Sequence, residues 1–126
     1  LYRALAQAGA EVIAVPSAFI AASGGSHWHT LLRARAIETQ CFILAAAQAG
    51  VHECGRHTNG HSIAISPWGE IIAEADGTAT GYILADIDLT AVTEARRRLP
   101  SLDTDHPFTI AHAEDNLVLP TDPVAR

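Results

Sequence analysis

The sequence predicts an α/β fold, a mixed sheet with helices laid against it. Segments with helical spacing alternate with short apolar runs of strand length, in the order helix, strand, helix, strand, hairpin, strand, helix. Nearly half of the 126 residues are apolar (48%), enough to close one core. No internal repeat and no linker divides the chain. A single domain is expected over residues 1–108, followed by an extended, proline-containing tail over 109–126.

The opening LYRALAQAG predicts a helix over 1–9 with Leu1, Ala4, Leu5 and Ala8 on one side and Gly9 closing it. EVIAVPS reads as a short buried strand ending at Pro16. The small, glycine-rich residues 17–26 read as a loop, with Ser26 capping a second helix, HWHTLLRARAIETQ. Arg35 and Glu38, three apart on that helix, can pair. The run from Cys41 to Gln48 predicts a buried strand, because turn signals flank it. HSIAIS alternates like a half-buried strand, PWG is a tight turn and EIIAEAD returns, so residues 61–75 predict a β-hairpin. TGYILADIDL predicts a third strand of the same antiparallel group. Residues 89–99 predict a helix capped by Asp88 and closed by Pro100.

The formal charge of −6 argues against affinity for nucleic acid or an anionic membrane. No run of eighteen apolar residues offers a spanning helix, and no leader pattern is visible. Two cysteines, Cys41 and Cys54, suit a reducing cytoplasm. All eight basic residues are arginine. The chain starts in mid-helix without a methionine, which is the expectation for a piece of a longer protein.

The stretch VHECGRHTNGHS looks most like chemistry. His52, Cys54, His57 and His61 lie within ten residues, with no distant second pair to close a zinc loop. His27 and His29 flank Trp28 on different sides of a helix, so no metal site is expected. A catalytic thiolate wants a helix N-terminus or a cation beside it and an oriented base. Cys41 follows a helix C-terminus and heads an apolar run, and reads as a small buried hydrophobe. Cys54, His52 and His57 read as solvated loop residues, whereas His61 opens a strand beside Gly60.

PSAF, HWHTLLRARAIETQCFILAAAQ, GHSIAISPWGEIIAEA and GYILADIDL…ARRRLPSL together resemble the nitrilase superfamily of carbon–nitrogen hydrolases. They look most like its Nit-type amidase branch, which takes in deaminated glutathione amidase and omega-amidase. The resemblance covers residues 1 to about 108. It implies the C-terminal half of a four-layer α-β-β-α sandwich, and a Glu, Lys and Cys chemistry that needs no cofactor. In the family the nucleophilic cysteine lies directly before a helix matching LYRALAQAGA, and the glutamate and lysine lie further upstream. No catalytic residue is therefore expected within this chain, which alone should be inactive. The absence of lysine agrees.

The resemblance also implies a homodimer built on helices 1–9 and 27–39, with Trp28, Arg33, Arg35 and Glu38 at the interface and RLPSLDTDHPF reinforcing it. A solvated charged face explains the arginines and Glu38 equally well. Phe19, near the pocket mouth in the family, and Gln48, after the apolar strand, are the candidate contacts to a small-molecule amide. Ordinary core and a strand-end polar residue are the competing readings. The chain departs from its relatives at Asn59 before Gly-His-Ser and at DTDHP. A non-catalytic remnant that binds a full-length relative is the alternative function.

Overall fold

The computed structural model describes residues 1–107 and Thr109. The expected tail, 109–126, lies otherwise outside the described residues. The elements run α1 (Tyr2–Gln7), β1 (Val12–Ala14), α2 (Ala21–Thr39), β2 (Phe42–Ala45), β3 (Ala49–Val51), β4 (His57–Asn59), β5 (Ile63–Ile65), β6 (Ile71–Glu74) and α3 (Thr90–Arg98). A single 3-10 turn, Ser101–Asp103, follows.

Four strands form one mixed sheet in the order β1-β2-β5-β6. β1 and β2 are parallel, as a helical crossover requires, and the other pairs are antiparallel. α2 is that crossover. Its Trp28, Leu32 and Ala36 pack with Ile13, Ile43, Ile63 and Ile65 into the core. The expected hairpin forms, with Pro67 and Trp68 in the turn and the Gly69 N–H donating to the Ser66 carbonyl at 2.9 Å. Ser66 Oγ accepts from the Trp68 and Glu70 N–H groups and fixes that turn.

Several expectations change. α2 begins at Ala21, so the loop is only 17–20 and Ser26 is helical, not a cap. The glycines there serve packing. Gly24 is buried, and a Cβ on it would lie 2.1 Å from the Asn59 side chain. Gly9 does close α1: its N–H donates to the Ala6 carbonyl and that of Ala10 to the Leu5 carbonyl, each at 3.0 Å. Yet α1 buries Ala6 and half-buries Tyr2, leaving the expected apolar side outward, with Leu1 90% exposed.

β5 is buried at all three positions rather than on one face. Residues 81–87 lie over its second face, where they line an apolar cleft with Ala14, Leu44 and Ala64. Those residues form no strand, against expectation. Their alternation holds, with Ile83, Ala85 and Ile87 partly buried and Tyr82 and Leu84 more than four-fifths exposed (88% and 84%). A strand also needs a partner for its backbone, and among the described residues 81–87 have none. Asp88 caps α3 as expected, its Oδ1 accepting from the Thr90 N–H at 2.9 Å.

The histidine-rich stretch is a second, two-stranded ladder, β3 with β4, not an unstructured loop. It docks on α2, and the Asn59 N–H donates to the Phe19 carbonyl at 2.8 Å.

Candidate functional site

A cleft of about 550 Å³ opens where the end of β2, the β4–β5 turn and the segment after β6 meet. Gln48, His52, His61, Ser62, Asp76 and Tyr82 are among its lining residues. The backbone of Gln48 is tied on both sides: its N–H donates to the Ser17 carbonyl and its carbonyl accepts from the Gly60 N–H, each at 2.9 Å. The exposed Gln48 side chain is left at the cleft wall. His52 Nε2 pairs with Thr58 Oγ1 at 2.8 Å across the small ladder.

The Gly-His-Ser triplet has a mechanical reading. Gly60 (φ 65°) and His61 (φ 58°) are both left-handed and turn the chain from β4 into β5. A Cβ on Gly60 would lie 2.5 Å from the Gly77 carbonyl oxygen, so the position admits only glycine. Ser62 Oγ accepts from the Ala47 N–H at 2.9 Å and holds the end of β2.

His61 also belongs to a cluster. Glu74 Oε1 accepts from His61 Nδ1 and from His29 Nε2, each at 2.8 Å. The two rings stand edge to face, 5.8 Å between centroids. Burial pushes the Glu74 carboxyl up, but the hydrogen bonds from His29 and His61, with their charge, outweigh it and hold its pKa below the usual carboxylate range. Asp76, next along the cleft, is held low by the Thr78 hydroxyl and backbone N–H. Among the described residues, His29, His61 and Glu74 form the group whose donor atoms converge enough to hold a metal ion.

This grouping was missed in the sequence. The hairpin register, with Ile63 opposite Glu74, was the available signal for His61 and Glu74. Nothing in local spacing pointed to His29. Gln40 was missed as well: it is buried, and its Nε2 donates to the Ala95 and Leu99 carbonyls at the end of α3.

The other candidates divide. Phe19 packs on Trp28 beside the core, ring centroids 5.4 Å apart, and is not among the residues lining the cleft. Trp28 is only 2% exposed, and its Nε1–H donates to the His61 carbonyl at 2.8 Å. That corrects its expected place at a subunit surface, because the indole packs inside its own chain. Arg33 Nε donates to the Gly69 carbonyl at 2.8 Å, which anchors the hairpin turn to α2. Arg35 and Glu38 do pair, at 2.6 Å, and the Arg35 guanidinium lies 5.5 Å over the Tyr2 ring, linking α2 to α1. Asp105 of DTDHP pairs with Arg3 of its own α1. Cys41 is buried, with its thiol donating to the Ala10 carbonyl at 3.1 Å. Cys54 is exposed in the β3–β4 turn.

The sequence matches the carbon-nitrogen hydrolase family over residues 1–97. It is 52% identical over 97 residues to the human deaminated glutathione amidase, covering 77% of this chain and 29% of that protein. It is 47% identical over 102 residues to the deaminated glutathione amidase of Synechocystis, covering 81% of this chain and 37% of that one. The fold is similar to the C. elegans NitFhit protein, with a TM-score of 0.74 and 38% identity over 83% of this chain and 25% of that one. It is also similar to a mutant Nesterenkonia amidase carrying a covalent acetamide on its active-site cysteine, with a TM-score of 0.62 and 28% identity over 77% of this chain and 36% of that one. The chain thus spans about a third of the length of these relatives.

Proposed function

Because the chain belongs to the carbon-nitrogen hydrolase family, we propose that it contributes the C-terminal part, about a third, of an amidase. The substrate we propose is a linear amide of a small dicarboxylate-like or peptide-like acid. The observation that carries this reading is the 52% identity to a deaminated glutathione amidase over 97 residues. In the proposed reaction a cysteine thiolate attacks the amide carbonyl, and a lysine and a backbone N–H hold the oxyanion. A glutamic acid protonates the departing ammonia, leaving a thioester. Water, deprotonated by the same glutamate, then attacks the thioester, releasing the acid and the thiol.

This chain has no lysine, and its two cysteines lack the arrangement that such an attack needs. Cys41 is enclosed in the core, with Arg96 Nη2 at 3.4 Å and, among the described residues, no histidine or carboxylate as its hydrogen-bond partner. Cys54 stands in a turn without an oriented base among the described residues. The reacting groups therefore belong to a further part of the amidase. What the chain brings is the mixed sheet and one wall of the pocket. Gln48 offers its amide there, and Phe19, fixed against Trp28, holds the 17–20 loop in place.

No helix among the described residues is long and apolar enough to cross a membrane. The cytoplasm is the proposed location, in keeping with two free cysteines. Arg33, Arg35 and Glu38 are the proposed polar part of a homodimer surface on α1 and α2.

Purified alone and given monoamides of short dicarboxylic acids, the chain is expected to release no ammonia above the buffer rate. Turnover abolished by Cys41→Ser or Cys54→Ser would overturn the assignment. A second reading, a non-catalytic remnant that binds a full-length relative, draws support from the outward apolar residues of the two helices. Leu5, Leu31 and Ile37 are all exposed there. Co-elution with a full-length relative on size exclusion is its expected outcome, and separate elution counts against it.

A further inference from the structure

We propose that His29, His61 and Glu74 form a binding site for a divalent first-row transition cation of the zinc class. The ligands would be His29 Nε2, His61 Nδ1 and Glu74 Oε1, which all lie within 4.8 Å of one another. Nothing in the amidase chemistry proposed above calls for this cluster.

The donor set fixes the class of ion. Two imidazole nitrogens and one carboxylate oxygen suit zinc and its neighbours, whereas magnesium and calcium take all-oxygen shells. The geometry needs the two Glu74 contacts to open and the two ring nitrogens, within 4.8 Å of each other, to settle at a ligand spacing. Zinc–ligand bonds of about 2.0–2.2 Å place tetrahedral donors roughly 3.3 Å apart. The two contacts to Glu74 are now 2.8 Å, so each opens by about half an ångström to admit the ion.

Three separate elements deliver the ligands, and each is fixed independently of an ion. His29 follows the buried Trp28 on α2, so its backbone is anchored by the core. The Trp28 indole donates to the His61 carbonyl and ties that residue to the same helix. The ring of His61 lies against Gly77, where a Cβ would come within 2.5 Å of its Nε2. Glu74 ends β6, placed by its register opposite Ile63. A site held this way loses little freedom when the cation enters.

Access and charge also fit. The three side chains are each about a third exposed (33%, 39% and 30%), so the ion enters from solvent and does not need unfolding. His61 and Glu74 line the cleft. Water from the cleft would complete the coordination shell. Asp76 lines the same cleft and adds a second carboxylate beside the cluster.

The test uses the untagged 126-residue chain, because a polyhistidine tag would bind the same metals. Cobalt(II) titration is followed by its visible absorption, and zinc by competition with a chromophoric chelator. One cation per chain is expected, with a dissociation constant on the order of 10 µM or below. His29→Ala and Glu74→Gln should each weaken binding by about 100-fold or more, beyond what losing an outer-shell partner costs. Both positions are partly exposed, so these variants keep the core, and far-UV circular dichroism checks that they do. Cys54→Ser and His57→Ala, in and beside the β3–β4 turn, should bind like the wild type. Binding no tighter than about 1 mM would overturn the proposal and leave the cluster a hydrogen-bonded clasp. So would unchanged affinity in His29→Ala and Glu74→Gln, or loss of binding in either turn variant.

Discussion

Gln40 ends α2 in a left-handed conformation (φ 53°) and turns its amide onto the last carbonyls of α3. The Ala95 carbonyl also accepts from the Leu99 N–H and the Leu99 carbonyl from the Ser101 N–H, so the amide adds a second bond to each and ties the end of α2 to the end of α3. Gln40→Ala would remove two inter-element hydrogen bonds from a buried position, and a loss of roughly 1–3 kcal/mol is expected in urea unfolding. An unchanged midpoint would show that water replaces the amide. Four carboxyls, those of Glu74, Asp76, Asp88 and Asp105, are held below their ordinary range. A carboxyl with a depressed folded-state pKa adds stability that is fully present above its unfolded value and is lost as pH falls through the folded one. From these groups the Tm should be flat down to about pH 4.5 and fall below it. A fall already complete by about pH 5.5 would place the acid sensitivity on the histidines instead. At this scale the sequence was partly legible. Gly-His-Ser and Arg35–Glu38 stood out because their partners are fixed by a turn or by helical spacing. Gln40 and His29 did not, because the groups that they meet are far away in the chain.

α2 shows why element boundaries were harder to read than element types. Its helical type followed from apolar spacing, whereas its start did not, because glycines at 24 and 25 resemble a loop. Their reason is tertiary: α2 lies so close to β4 that Gly24 and Asn59 share the space of one side chain. On an exposed helix, Gly→Ala gains about 1 kcal/mol. Here Gly24→Ala should instead cost about 1–3 kcal/mol, through overpacking against Asn59. Asn59→Ala in the same chain should recover most of that, as read by a double-mutant cycle in urea. Additive effects of the two changes would mean that the helix and the ladder are not in contact. The segment 81–87 is the converse case. Its alternation was visible, but pairing depends on a neighbouring backbone, which no pattern within the segment specifies.

For the molecule as a whole, composition and order foretold a mixed sheet covered by helices, and the β1-β2-β5-β6 sheet with α2 against it is that arrangement. The resemblance carried the functional class further than the residues alone could, because among the described residues neither cysteine has an oriented base. The apolar cleft under residues 81–87 and the outward Leu1 and Leu5, before and on α1, are surfaces that a larger assembly would bury. Acidification, metal loading and core substitutions all test how this chain holds together. They do not test whether it serves an amidase. The direct measurement is ammonia release by a chimera in which the part of the Synechocystis relative preceding the matched region is fused to this chain. The account predicts that the chimera hydrolyses the amide of a small acid while the 126-residue chain alone does not. A folded chimera without turnover, or turnover by the chain alone, would contradict it.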